Sequence, residues 1–130
     1  MLDKKLTPIE EKVMMVIWDS DEKPHLSEIV KEINERYSKD WKPQTISTYL
    51  AHLVRKGYLS FERKGKVFLY TPLVDKKTFC KQQIKNMYEY YGNYSFVDFF
   101  RIFQDTGLVT DKDVAEMKNM LGNVQKHLDF

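Results

Sequence analysis

The residues of strongest chemical character in this 130-residue chain lie between positions 41 and 70, where six Lys/Arg face a single carboxylate. That stretch carries +5, while residues 1–40 carry −3 and residues 71–130 carry zero, which together make the net charge of +2. A cationic block in mid-chain is what a phosphate-facing surface requires. Lys42, Arg55, Arg63, Lys64 and Lys66 are its candidate phosphate contacts, and Gln44, Thr45, Ser47, Thr48 and His52 are interleaved among them. These polar side chains donate and accept hydrogen bonds. Gln can bond an adenine edge, and a Thr methyl can touch a thymine methyl. The chemistry indicated is recognition of double-stranded DNA.

Catalysis finds no such support. His25, His52 and His127 fall on three separate elements, without metal-ligand spacing or a His-Glu-x-x-His motif. Cys80 has no cationic neighbour except Lys81 and reads as a buried structural thiol. Asp111 and Asp113 match the preference of helix starts for negative charge. No Gly-rich phosphate loop occurs, so the expectation is a non-enzyme with neither cofactor nor metal. A single cysteine forms no internal disulfide, which suits a reducing cytoplasm. The longest apolar run, Val13 to Trp18, is far shorter than the ~20 residues of a membrane span, and the start Met-Leu-Asp-Lys-Lys does not resemble a signal peptide. A cytoplasmic chain without membrane insertion is expected.

The elements that position these residues follow from periodicity and punctuation. Thr7-Pro8-Ile9-Glu10 is a capping box with Pro at the first helical position, and Ile9, Val13, Val16 and Ile17 continue at helical spacing to about Trp18. Leu26, Ile29, Val30 and Ile33 mark a second helix, with His25 or Ser27 near its start and an end near Tyr37. Trp41-Lys42-Pro43 opens a third, and Gly57 suits the left-handed position just past its end. Two β-rich runs follow, Tyr58–Arg63 and Lys66–Thr71. A Lys64-Gly65 turn would pair Phe61 with Phe68 and Leu59 with Tyr70, all on one face packed against a core. Pro72 closes the second strand.

Placed at about 100° per residue, the third helix turns Ile46, Leu50, Leu53 and Val54 to one side. Gln44, Thr45, Thr48, His52 and Arg55 fall on the far side, flanked by Ser47 and Ala51. That outer face holds no carboxylate. Surface helices ordinarily carry Glu there for solubility and i,i+4 pairing, whereas a helix in the major groove lies between two rows of phosphates. Arg63, Lys64 and Lys66 gather at the hairpin tip, where a wing would grip the backbone without reading sequence.

From Asp75 the pattern is helical again, broken at Gly92-Asn93 and at Asp105-Thr106-Gly107, with Thr110 and Asp113 forming a last capping box. Cys80, Ile84, Met87 and Tyr91 recur along one seam; Phe96, Phe99, Phe100 and Phe103 crowd the next segment; Val114, Met117 and Leu121 line the last helix. Three short helices with aromatic seams lack enough core of their own, and a second copy of the chain is the simplest cover. The expected interface comprises Ile84, Met87, Tyr91, Phe96, Phe99, Phe100, Phe103, Met117 and Leu121. The fold class is mainly α with a small β-hairpin wing: a winged helix-turn-helix over 1–74 and a helical dimerisation domain over 75–130.

The Leu-Thr-Pro-Ile-Glu-Glu-Lys-Val-Met opening, Trp18, the Trp41–Thr48 segment, Leu53–Leu59 and Tyr70–Val74 resemble the BlaI/MecI family of penicillinase and methicillin-resistance repressors. The resemblance implies a homodimer that binds palindromic operator DNA, represses nearby genes and takes part in antibiotic resistance. It places base reading on Thr45, Ser47 and Thr48, with Ser47 where relatives often carry Arg. It also implies induction by proteolysis of the C-terminal domain after a membrane sensor protease detects a β-lactam. The family's scissile Asn-Phe bond has Asp98-Phe99 as its nearest local match here. A copper-sensing branch uses Cys-x-Cys motifs, which a chain with one cysteine lacks. Two other readings stand beside the repressor: a regulator with a small-molecule ligand among Tyr88, Tyr90, Tyr91, Phe96, Phe99 and Phe100, and a winged helix that binds protein.

Overall fold

Thr7 caps the first helix, α1 (Pro8–Trp18), in the reciprocal manner its sequence predicts: Thr7 Oγ1 accepts from the Glu10 N–H at 3.2 Å, and Glu10 Oε1 accepts from the Thr7 N–H at 2.8 Å. The computed structural model describes residues 5–128, so the first four residues, on which the reading of no signal peptide rests, lie outside the described part. α2 (Leu26–Tyr37) starts from His25, with Glu28 reaching back to its N–H, and ends at Ser38 in the left-handed conformation (φ 53°). α3 (Pro43–Arg55) has Pro at its first position.

β1 (Leu59–Lys64) and β2 (Val67–Pro72) form a two-stranded antiparallel hairpin. β2 is tied to the chain before α2 by the Tyr70 N–H, which donates to the Pro24 carbonyl at 3.1 Å. α4 (Lys76–Tyr91), α5 (Phe96–Asp105) and α6 (Asp111–Leu128) follow.

The chain divides into two compact units, Met1–Asn86 and Met87–Phe130. In the first, the apolar stripes of α1, α2 and α3 converge: Val13, Met14, Val16, Ile17, Ile29, Ile33, Ile46, Leu50 and Leu53 are buried together with Tyr58, Leu59, Tyr70 and Phe79. Truncating a fully buried member such as Met14 to Ala costs about 2–5 kcal/mol. The division falls inside α4 because Phe79 belongs to this core, its ring 5.3 Å from Trp18 and 6.2 Å from Tyr58. Trp18 also anchors the approach to α4, its Nε1–H donating to the Val74 carbonyl at 2.8 Å.

Two expectations are corrected here. Cys80 is exposed, not buried; Phe79, one residue earlier and ~100° round the helix, takes the inward place because its ring meets Trp18 and Tyr58. The hairpin turn is Gly65-Lys66 rather than Lys64-Gly65, so Phe61 lies opposite Tyr70, Leu59 opposite Pro72 and Arg63 opposite Phe68. Gly65 takes φ +62° at the first turn position while Lys66 keeps φ negative, the geometry of a type II′ turn, in which Gly comes first. The shift is two residues in the pairing, so Leu59, Phe61, Phe68 and Tyr70 keep one common face. Only half of that face is covered, however: Leu59 and Tyr70 are buried, but Phe61 and Phe68 stay 52% and 42% exposed.

The second unit is three helix segments. Thr110 forms the capping box with Asp113 that its spacing predicts, and Ser95 forms a second one with Asp98. Both carboxylates are held below their ordinary range, chiefly by the backbone N–H groups of Ser95 and Thr110.

Candidate nucleic-acid interface

α3 presents a polar ridge because its apolar positions are used up on the other side. Ile46, Leu50 and Leu53 are buried, while Gln44, Thr45, Ser47, Thr48, Ala51 and Arg55 are exposed. The Thr48 hydroxyl donates to the Gln44 carbonyl at 3.1 Å, which occupies its proton and leaves its methyl and its lone pairs for outside partners. At the C-terminal end, Tyr58 N–H bonds the Leu53 carbonyl (3.0 Å) and Gly57 N–H the Val54 carbonyl (3.1 Å). This is the Schellman arrangement, and Gly57 supplies its left-handed residue at φ +82°.

The N-terminal end is set by a residue that sequence reasoning missed. Asn34 on α2 accepts from the Trp41 N–H at 2.9 Å and donates to the Trp41 carbonyl at 3.0 Å. Its amide therefore pins both backbone groups of the residue just before Lys42 and Pro43, fixing where α3 begins. An Asn seven residues before the Trp carries no periodic signal. The N-cap Lys42 makes no side-chain cap; its carbonyl accepts from the Thr45 N–H at 3.0 Å and the Ile46 N–H at 3.2 Å, and Pro43 has no N–H to satisfy.

A second missed residue is Glu10, buried to 1% exposure. Its carboxylate bonds Lys56 Nζ at 2.5 Å and lies 3.6 Å from His52 Nδ1. Burial would raise its pKa, but the Lys56 ammonium and the Thr7 cap outweigh that and hold it below the ordinary value. Lys56 also donates to the Lys5 carbonyl at 2.9 Å. Lys56 is thus the one cation of the 41–70 block turned inward, and His52 is half-buried on the same flank, edge-on to Tyr49. The Glu10 carboxylate that closes the capping box thus doubles as a clamp between α1 and the C-terminal end of α3.

The remaining cations stand outward. Lys42, Arg55, Arg63, Lys64 and Lys66 are exposed and form no ion pair among the described residues. The one carboxylate of the hairpin, Glu62, is bonded to Lys23 at 3.0 Å, and that contact lowers its pKa. Arg63 folds over the turn, its Nε–H donating to the Gly65 carbonyl at 3.0 Å and its guanidinium 5.9 Å from the Phe68 ring. The ridge of α3 and the wing tip thus each present exposed cations and polar groups on the first unit.

The nine apolar residues expected to cover a partner fall on α4, α5 and α6. Ile84, Met87, Tyr91, Phe96, Phe103 and Leu121 are exposed, and Phe99, Phe100 and Met117 are partly covered. Phe99 stacks among Tyr88, Tyr91 and Tyr94 at 5.4–6.5 Å. Asp98 and Phe99 lie in the first turn of α5. Among the described residues no group of three or more His, Cys, Asp or Glu is placed to hold a metal ion, and no helix is long and apolar enough to cross a membrane.

Residues 6–123 match the family model of the penicillinase repressor. Among curated proteins, the penicillinase repressor of Bacillus licheniformis is 26% identical over 117 residues, covering 90% of this chain and 89% of that one. The methicillin resistance regulatory protein MecI of Staphylococcus aureus (strain N315) is likewise 26% identical, over 90% and 93% of the two chains. The solution structure of the DNA-binding domain of the repressor BlaI superposes with a TM-score of 0.50 at 35% identity, over 57% of this chain and 87% of that domain. With a family match across nearly its whole length and the winged helix of that domain, the chain belongs to the BlaI/MecI penicillinase-repressor family.

Proposed function

We propose that the chain is a homodimeric transcriptional repressor that lays α3 in the major groove of a palindromic operator and grips flanking phosphate with its wing. The observation that carries this reading is the outer ridge of α3, free of carboxylates and bordered by five unpaired cations. Base edges fall to Gln44, Thr45, Ser47 and Thr48, backbone phosphate to Lys42, Arg55, Arg63, Lys64 and Lys66. His52, engaged by Glu10, orients the ridge more than it reads from it. Two copies joined through residues 75–130 set two half-sites about one helical turn apart. The task is binding in the cytoplasm, with no reaction catalysed.

The deciding experiment is a salt titration of DNA binding. Each neutralised phosphate contributes about −0.9 to the slope of log K against log salt, so a dimer with several contacts per protomer has a steep one. A flat slope would remove the reading. Proteolytic induction at Asp98–Phe99 by a sensor protease is supported by family membership and less by geometry. The bond sits in a capped helical turn with Phe99 stacked among tyrosines, so cleavage requires that turn to unwind.

A second reading, control by a small molecule, has one observation in its favour: an apolar cleft of about 290 Å³ among Met87, Tyr91, Tyr94, Phe99, Ile102 and Phe103 in the second unit. The oligomeric state separates the two. A monomer that binds DNA only with an added apolar ligand favours control by ligand.

A further inference from the structure

Between α3 and the hairpin lies a cleft of about 360 Å³ whose walls are nearly all apolar: Ser47, Ala51 and Val54 from the helix, Phe61, Phe68 and Tyr70 from the strands. Phe61 and Phe68 meet edge to face at 5.4 Å, and both remain largely open to solvent although they sit on the core-side face of the hairpin. Two exposed phenyl rings on a small wing are unfavourable in water unless something covers them. The surroundings say what does. Arg55 lines the same cleft, Arg63 lies over Phe68, and Lys64 and Lys66 follow at the tip, so the occupant is polyanionic as a whole and apolar where it enters.

Ser47 and Ala51 form one wall and are also the flank of the ridge assigned above to base reading, so the cleft opens toward whatever α3 faces. The major-groove edge of a base pair offers one apolar group, the C5-methyl of thymine, and Ala and Phe are among the side chains that contact it. We infer that this cleft is a thymine-methyl site, in which Ala51, Phe61 and Phe68 select half-sites carrying thymine on the wing side of α3. The inference rests on the DNA-binding reading and extends it to a class of sequence.

Duplexes that the chain selects from a random pool supply the probe. Each is prepared twice, once with thymine and once with uracil, which differs only by the methyl. Replacing thymine by uracil on the wing side should weaken binding about fourfold for each methyl lost. Phe61→Ser, at an exposed position that leaves the core intact, should bind the thymine duplex as weakly as the unaltered chain binds the uracil one. It should also be indifferent to the replacement, with an unchanged salt slope, and Phe61→Leu should restore part of the discrimination. Equal affinity of the unaltered chain for both duplexes would overturn the inference. So would a Phe61→Ser loss of equal size on both, which would place the ring against deoxyribose. Absence of any salt-dependent binding would instead bring down the repressor reading beneath it.

Discussion

Arg55 and Lys64 are the proposed phosphate contacts whose surroundings are simplest. Both are exposed, belong to no ion pair among the described residues and border a ridge without carboxylates. Arg55→Ala or Lys64→Ala should weaken binding to every DNA sequence and reduce the salt slope by about one per half-site, as read in salt titrations. Thr48→Ala should act differently. With its hydroxyl proton donated to Gln44, what it presents is a methyl group and an acceptor. Its loss should change preference among operators by ~1–3 kcal/mol with little change on random DNA, measured by competition binding. Glu10 makes its contribution through folding. Its pKa is depressed from the ordinary 4.5, so the stabilisation is complete above that value and fades as pH falls through the folded-state pKa. Urea midpoints of the native chain should therefore drop as pH falls below 4.5 more than those of Glu10→Gln, and the two should converge in acid.

At the scale of elements, α3 is held at both ends by groups outside the helix itself. Asn34 fixes the backbone of Trp41 before its start, and the left-handed Gly57 closes its last turn. A Cβ at Gly57 meets nothing within 4 Å, so Gly57→Ala adds conformational strain without a clash. That strain should lower stability by roughly 1–2 kcal/mol, seen as a lower urea midpoint with an unchanged slope. The wing is the less constrained element. Its register is set by where the glycine falls in the turn, and Lys-Gly-Lys admits two choices on pattern alone. Type II′ geometry selects Gly first, and that choice moves Arg63 beside Phe68.

For the molecule as a whole, the test lies in the apolar side chains left uncovered on the second unit, which the proposed dimer would bury. Phe96, Phe103 and Leu121 are 73%, 47% and 65% exposed, which a second copy would relieve. Phe103→Asp should shift the sedimentation coefficient to that of a monomer. It should weaken binding to a full operator by about 10²-fold or more while leaving half-site affinity nearly unchanged, because the second half-site then loses its effective concentration.

The helices, their caps and the basic mid-chain block were legible in the order of residues alone, because each depends on neighbours within one or two turns. Thr7 with Glu10 and Thr110 with Asp113 are local matters of geometry, and α3's polar ridge follows from a period of 3.6. What only the tertiary structure decided were pairings between residues far apart in the chain. Glu10 reaching Lys56 across 46 positions, Trp18 reaching Val74 across 56, and Phe79 rather than Cys80 turning into the core are examples. Helical spacing groups residues into faces but does not say which face of α4 the core will take, nor which cation a buried carboxylate will claim. That is settled by which groups the packed helices bring within a few ångströms, where burial and charge act at full strength.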